Sequence, residues 1–203
     1  MRKRRGMTLI ETLVALFLFA LFGLAAAASL NLAMRQWGVV ATRVNATQSA
    51  RFLSGLIVNE IRQGLPNHHP TLGYQGAGLS ATALLLPNTN TQQSSELIFT
   101  EPNSNSYNPL SAAWNPQAPQ HYKRVRYFVR AGNTEVVREE TSYSSAGIPT
   151  TTEEVVGRGD FLSLQFDWQS SNLVDVTVRA REGDTSQYHK DVSYVSRCYL
   201  LGR

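Results

Sequence analysis

Residues 7–28, MTLIETLVALFLFALFGLAAAA, most restrict what this chain can fold into. They contain no polar side chain after Thr12. These 22 residues form a helix of roughly 33 Å, about the thickness of a bilayer's hydrocarbon core. A helix is the form expected, because backbone amides in lipid need partners within their own segment. Arg2, Lys3, Arg4 and Arg5 stand just before the run. That cationic cluster is expected to stay cytoplasmic, placing the C-terminal bulk outside. Glu11 does not suit a plain anchor. A carboxylate deep in lipid costs on the order of 2.5–3.5 kcal/mol on insertion scales, less near the interface, and such groups usually have a partner.

A cut between Gly6 and Met7 would create an α-amino group four residues before Glu11. Within one helix the two groups are poorly placed to meet. Between axially staggered neighbours, the amine of one chain reaches Glu11 of the next. Opposite charges attract strongly where the dielectric is low, and pairing removes both desolvated charges together. Glu11 therefore reads as an assembly residue.

Gly6-Met7-Thr8-Leu9-Ile10-Glu11, after a short basic leader and before a long apolar helix, resembles the signal of type IV pilins and type II secretion pseudopilins. The resemblance implies that prepilin peptidase cuts after Gly6 and that Met7 is then N-methylated; Met7 stands where most of that family has Phe. It also implies other pilins or pseudopilins as partners, driven into a filament by an assembly ATPase and its platform protein. The expected location is the inner membrane, single-pass in its lipid, and then a pilus or pseudopilus. Two simpler readings compete. A basic segment, an apolar run and the small residues near Ala26–Ser29 also describe a secretory signal peptide, although the run exceeds the usual 7–15 residues and carries Glu11. A plain signal anchor holding an exported binding domain is the other.

The net charge of +4 hints at nucleic acid, but the leader supplies it. Without its four basic residues the 19 Lys+Arg fall to 15, against 15 Asp+Glu. Bulk charge thus gives no reason to expect DNA or anionic lipid as a partner. The single cysteine, Cys198, cannot form an intrachain disulfide; in an apparent strand it reads as a small buried hydrophobe.

Helical spacing continues past the anchor. Leu30, Ala33, Met34, Trp37, Val40, Ala41, Val44, Leu53, Leu56, Ile57 and Ile61 recur at three- and four-residue steps and read as one apolar face. A stop is expected near Gln63, with Gly64 as C-cap and Pro66 unable to continue. Residues 7–63 would make a rod of about 85 Å, with Gly23 and Gly38 as points where it could bend. QSARFLSGLIVNEIRQG (residues 48–64), with Arg51-x-Leu53 and then Glu60-Ile61-Arg62, resembles the minor pilins of the W type and the J-type pseudopilins.

Residues 65–95 and 101–122 are rich in Gly, Pro, Asn, Thr and Ser and read as loops suited to recognition. Between and after them come period-two segments: 96–100, 123–130, 134–140, 160–168, 174–180 and 189–200. A further loop is expected at 141–152. The expected architecture is α+β, with a long N-terminal helix (transmembrane half plus amphipathic half) covering the dry face of a C-terminal antiparallel β-sheet. The expected divisions are a leader 1–6, a transmembrane half 7–28, an amphipathic half 29–64 and a β domain 65–203.

No sequence pattern points to an enzyme. Gly73, Gly76 and Gly78 are in the wrong order for a dinucleotide loop, and neither a Walker motif nor a G-x-S-x-G elbow occurs. His68-His69 lack other ligands at metal spacing, so neither metal nor cofactor is expected. Asn45-Ala46-Thr47 fits a glycosylation sequon but falls mid-helix. Arg124, Arg126 and Arg130 with Phe128 on one strand face have the residue types for a phosphate backbone and stacked bases, as a DNA-uptake pilus subunit would require. Ordinary pairing with Glu135 and Glu139 across a hairpin explains them as well.

Overall fold

The computed structural model describes residues 8–65, 68–69, 73–74, 84–85, 93–106, 108–111, 115, 117–170, 173–181 and 191–199. The chain divides into two compact units, Met1–Ala41 and Thr42–Arg203. The first element, the helix α1, covers Leu9–Ile61. It is long and apolar enough to cross a membrane.

In the first unit the described side chains are almost all open to solvent, including Leu9, Leu16, Phe19, Phe22 and Leu24. So are Leu30, Met34, Trp37 and Val40, which the spacing had assigned to the face covering the sheet. Burial on α1 starts only at Ala46. Its face is then Ala46, Ala50, Leu53, Ile57 and Ile61, all at most 2% exposed, at steps of four, three, four and four. Val44 lies two residues before Ala46, roughly 200° away around a helix turning 100° per residue, and is exposed. The single stripe expected from Leu30 to Ile61 is therefore corrected: its buried part begins at Ala46.

Eleven strands follow among the described residues: β1 (His68–His69), β2 (Gly73–Tyr74), β3 (Leu84–Leu85), β4 (Gln93–Ser94), β5 (Leu97–Pro102), β6 (Tyr122–Val129), β7 (Glu135–Tyr143), β8 (Pro149–Arg158), β9 (Phe161–Ser170), β10 (Leu173–Arg181) and β11 (Val192–Tyr199). Beyond the small β1–β2 ribbon they form two antiparallel sheets, ordered β3-β5-β6-β7-β8 and β11-β10-β9-β4. One meander was expected. Alternation shows which side chains share a face; it does not show which strands share a sheet. The expected loop at 141–152 is mostly strand, since β7 runs to Tyr143 and β8 begins at Pro149. The side chains of β8 are exposed from Pro149 to Glu154, as suits an edge strand, so no apolar alternation marked it.

Both sheets contribute to one apolar cluster. Leu97 and Phe99 (β5), Val125 and Tyr127 (β6), Val136 (β7), Leu162, Leu164 and Phe166 (β9), Val174, Val176, Val178 and Ala180 (β10), and Cys198 (β11) meet the buried face of α1. On β6, β9 and β10 these side chains recur at every second position, as the period two of those segments predicts. Cys198 is fully buried, its Sγ 3.5 Å from the Val58 carbonyl oxygen, and burial pushes its thiol pKa up.

Two adjacent flanks of α1 serve different sheets. On one, Ser54 Oγ donates to Ser196 Oγ of β11 at 2.8 Å, and the Arg51 guanidinium sits 6.0 Å from the Tyr194 ring centre. On the other, Leu53 meets β8 so closely that a Cβ at Gly157 would fall 2.6 Å from its Cδ2. That approach needs glycine.

A turn at Gly132-Asn133 joins β6 to β7. Positive φ at both residues (103° and 55°) is the backbone that tight hairpins with right-handed strand twist favour. At the end of α1, bonds from Gln63 N to Glu60 O (2.9 Å) and Gly64 N to Ile61 O (3.0 Å) tighten the last turn. Gly64 does not take the positive φ of a left-handed cap. Leu65 N instead donates to Thr100 O of β5 at 2.8 Å, fastening the helix exit to the sheet.

Candidate functional site

Gly6 and Met7 lie outside the described residues. Thr8 precedes the first helical residue and acts as its N-cap. Its backbone N–H donates to Glu11 Oε2 at 2.9 Å, and its hydroxyl donates to the same oxygen at 3.1 Å. In return Glu11 N approaches Thr8 Oγ1 at 3.4 Å. This is a reciprocal capping box, which satisfies amides that a helix start otherwise leaves open. The signal for it was present in the sequence as Thr8-x-x-Glu11. Attention to the charge of Glu11 alone left Thr8 unassigned.

The geometry gives Glu11 two properties. Its carboxylate is held by its own helix, with no cation paired to it among the described residues, and both donors reach the same oxygen, Oε2. Among the described residues Oε1 has no hydrogen-bond partner. A negative charge at the first turn also suits the positive end of the helix dipole. The group is thus held in place, exposed, and free at one oxygen to receive an ammonium group.

The basic strand face is differently placed. Arg126 pairs with Glu96 (2.9 Å) and Glu139 (3.5 Å) and lies 4.6 Å from the centre of the Phe128 ring. Arg130 pairs with Glu135 (2.6 Å) and Glu153 (2.9 Å). Arg124 keeps its Nε buried without a hydrogen-bond partner. The structure does bring Arg126, Phe128 and Arg130 together, but four carboxylates come with them. The expected cross-hairpin partners Glu135 and Glu139 are among those four.

The stretch at residues 48–64 has structural work in this fold. Leu53 and Ile61 are core, Arg51 lies over Tyr194, and Glu60 accepts from Tyr127 and Arg138. Of the loops, residues 103–121 are partly described. Asn103 Nδ2 donates to Gln120 O at 3.0 Å and His121 Nδ1 lies 2.7 Å from Ser106 O, closing the base of an excursion whose Leu110 is 96% exposed. Trp114 and most of residues 66–92 lie outside the described residues. No group of three or more His, Cys, Asp or Glu placed to hold a metal occurs among the described residues.

Residues 1–27 match the family model described as the prokaryotic N-terminal methylation motif. No match to the chain is found among curated proteins or among solved structures. The N-terminus is therefore a prepilin-type signal of the kind carried by type IV pilins and pseudopilins. Joined to an apolar helix that packs its far end on antiparallel sheets, it marks a type IV pilin-like subunit, a substrate of prepilin peptidase with pilin-type assembly partners.

Proposed function

We propose that the protein is a minor pilin or pseudopilin of the W/J type, a structural subunit without catalytic activity. It is cut between Gly6 and Met7, N-methylated at Met7, and stored in the inner membrane with its sheet domain extracytoplasmic. An assembly ATPase and its platform protein then move it into a filament, where Glu11 receives the N-terminal amine of a neighbour. The observation that carries this reading is the continuity of three features along one helix. The processing motif leads directly into a fixed, half-satisfied carboxylate and then into exposed apolar side chains that include Leu16, Phe19, Phe22 and Leu30. The lone buried cysteine and the residue pattern of 48–64 favour the minor class.

A DNA-uptake role gains no support from β6, because Arg126 and Arg130 already face carboxylates and their release would cost those pairs. For the filament reading, the test is co-expression of the full chain with a filament machinery, with and without its prepilin peptidase. The chain should enter the sheared filament fraction only when peptidase is present. Recovery that ignores the peptidase would leave a plain anchored domain instead.

A further inference from the structure

The end of α1 is tied to the five-stranded sheet by charge as well as by apolar packing. Glu60, half-buried on the last turn, accepts from the Tyr127 hydroxyl of β6 and from Arg138 Nε of β7 at 2.7 Å. Arg138 Nη2 continues to Glu140 Oε2 at 2.8 Å. Lys123 of β6 joins Glu140 at 3.1 Å to Glu101 of β5 at 3.2 Å. Glu101 is 3% exposed, and its second oxygen, Oε1, is buried without a hydrogen-bond partner.

Three carboxyl groups thus share two cations in a partly buried chain of contacts. Fully ionised, the set carries one negative charge too many, and buried uncompensated charge is costly. One bound proton makes it neutral. Glu101 is the natural holder, being the least exposed of the three, with an oxygen that no cation reaches. A cavity of about 390 Å³ lined by Glu60, Glu101, Lys123, Arg138 and the exposed Glu154 of β8 gives water a route to the network.

We propose that this network is a proton-operated latch: with one proton held on Glu101 it clasps the C-terminal end of α1 to the five-stranded sheet, and release of that proton to water loosens the clasp. The inference concerns the domain alone and does not depend on the filament reading. Burial pushes the Glu101 carboxyl up to about 7, and the nearby Glu60 carboxylate adds to that. A carboxyl raised in the folded state stabilises the fold at low pH. That contribution is lost as pH climbs from the ordinary carboxylate value through about 7, and it changes no further above. Against the burial that would raise it, Arg138 and Lys123 hold Glu140 below its ordinary value, and Arg197 does the same for Asp175. β1, beside β5, carries His68 and His69, so the comparison must be made against a variant rather than on the wild type alone.

The test is hydrogen exchange at the amides of residues 57–65 in the full chain held in neutral detergent, corrected for intrinsic exchange. Wild-type protection should fall by about tenfold between roughly pH 5 and pH 8. Glu101→Gln, which cannot ionise, should remove that fall and exceed wild type at the upper pH. Lys123→Met leaves more unopposed negative charge and should move the fall to higher pH, which decides the matter if Glu101→Gln does not fold. A flat wild-type profile, an unchanged fall in Glu101→Gln, or a midpoint in Lys123→Met that stays put would each overturn the latch.

Discussion

Replacing Glu11 with Gln should lower incorporation of the chain into filaments by at least about tenfold while leaving its membrane insertion intact. Gln can keep the bonds to Thr8, because a capping box works with either side chain. What it cannot keep is the charge. Separating a buried ion pair by removing one partner costs about 3–5 kcal/mol, whereas losing a helix cap costs about 0.5–2 kcal/mol. Since about 1.4 kcal/mol is a factor of ten in an equilibrium, the pairing role predicts that Glu11→Gln and Glu11→Ala fail alike. Quantitative recovery of each variant in the sheared filament fraction, against its level in the membrane, makes the comparison. Glu11→Gln assembling as wild type would reduce the residue to a cap.

The second large effect is on the fold. Ile57→Ala should destabilise the domain by about 2–5 kcal/mol, the usual cost of emptying a filled core site. Ile57 is fully buried in the apolar cluster, on the helix face that includes Leu53 and Ile61. Phe52, larger and on the same stretch of helix, is 64% exposed, so Phe52→Ala should stay within about 0.5 kcal/mol. Chemical unfolding in detergent, followed through the sheet signal, separates the two. Equal losses would mean that α1 does not meet the domain through the face described.

These two predictions also mark what the sequence revealed and what it hid. The N-terminal methylation motif was legible because it is a linear stretch, residues 1–27, that needs no tertiary information. Strands β6, β9, β10 and β11 were legible because each has one dry face, which shows as strict alternation. β8 was not, since Thr150, Thr151, Thr152, Glu153 and Glu154 all face solvent on a sheet edge. The helix misled for a physical reason. Leu30, Met34, Trp37, Val40 and Val44 are apolar yet exposed, and periodicity reports that a face is apolar without saying what covers it. The Glu60–Glu101 network was illegible altogether. Its members come from α1, β5, β6 and β7, and only the fold places them together.

The most direct measurement is the intact mass and N-terminal sequence of the chain purified from cells that make its filament. The account predicts a chain that begins at N-methylated Met7, with the basic leader through Gly6 removed. A chain that keeps Met1, or one that starts near Ser29 after ordinary signal cleavage, would contradict it.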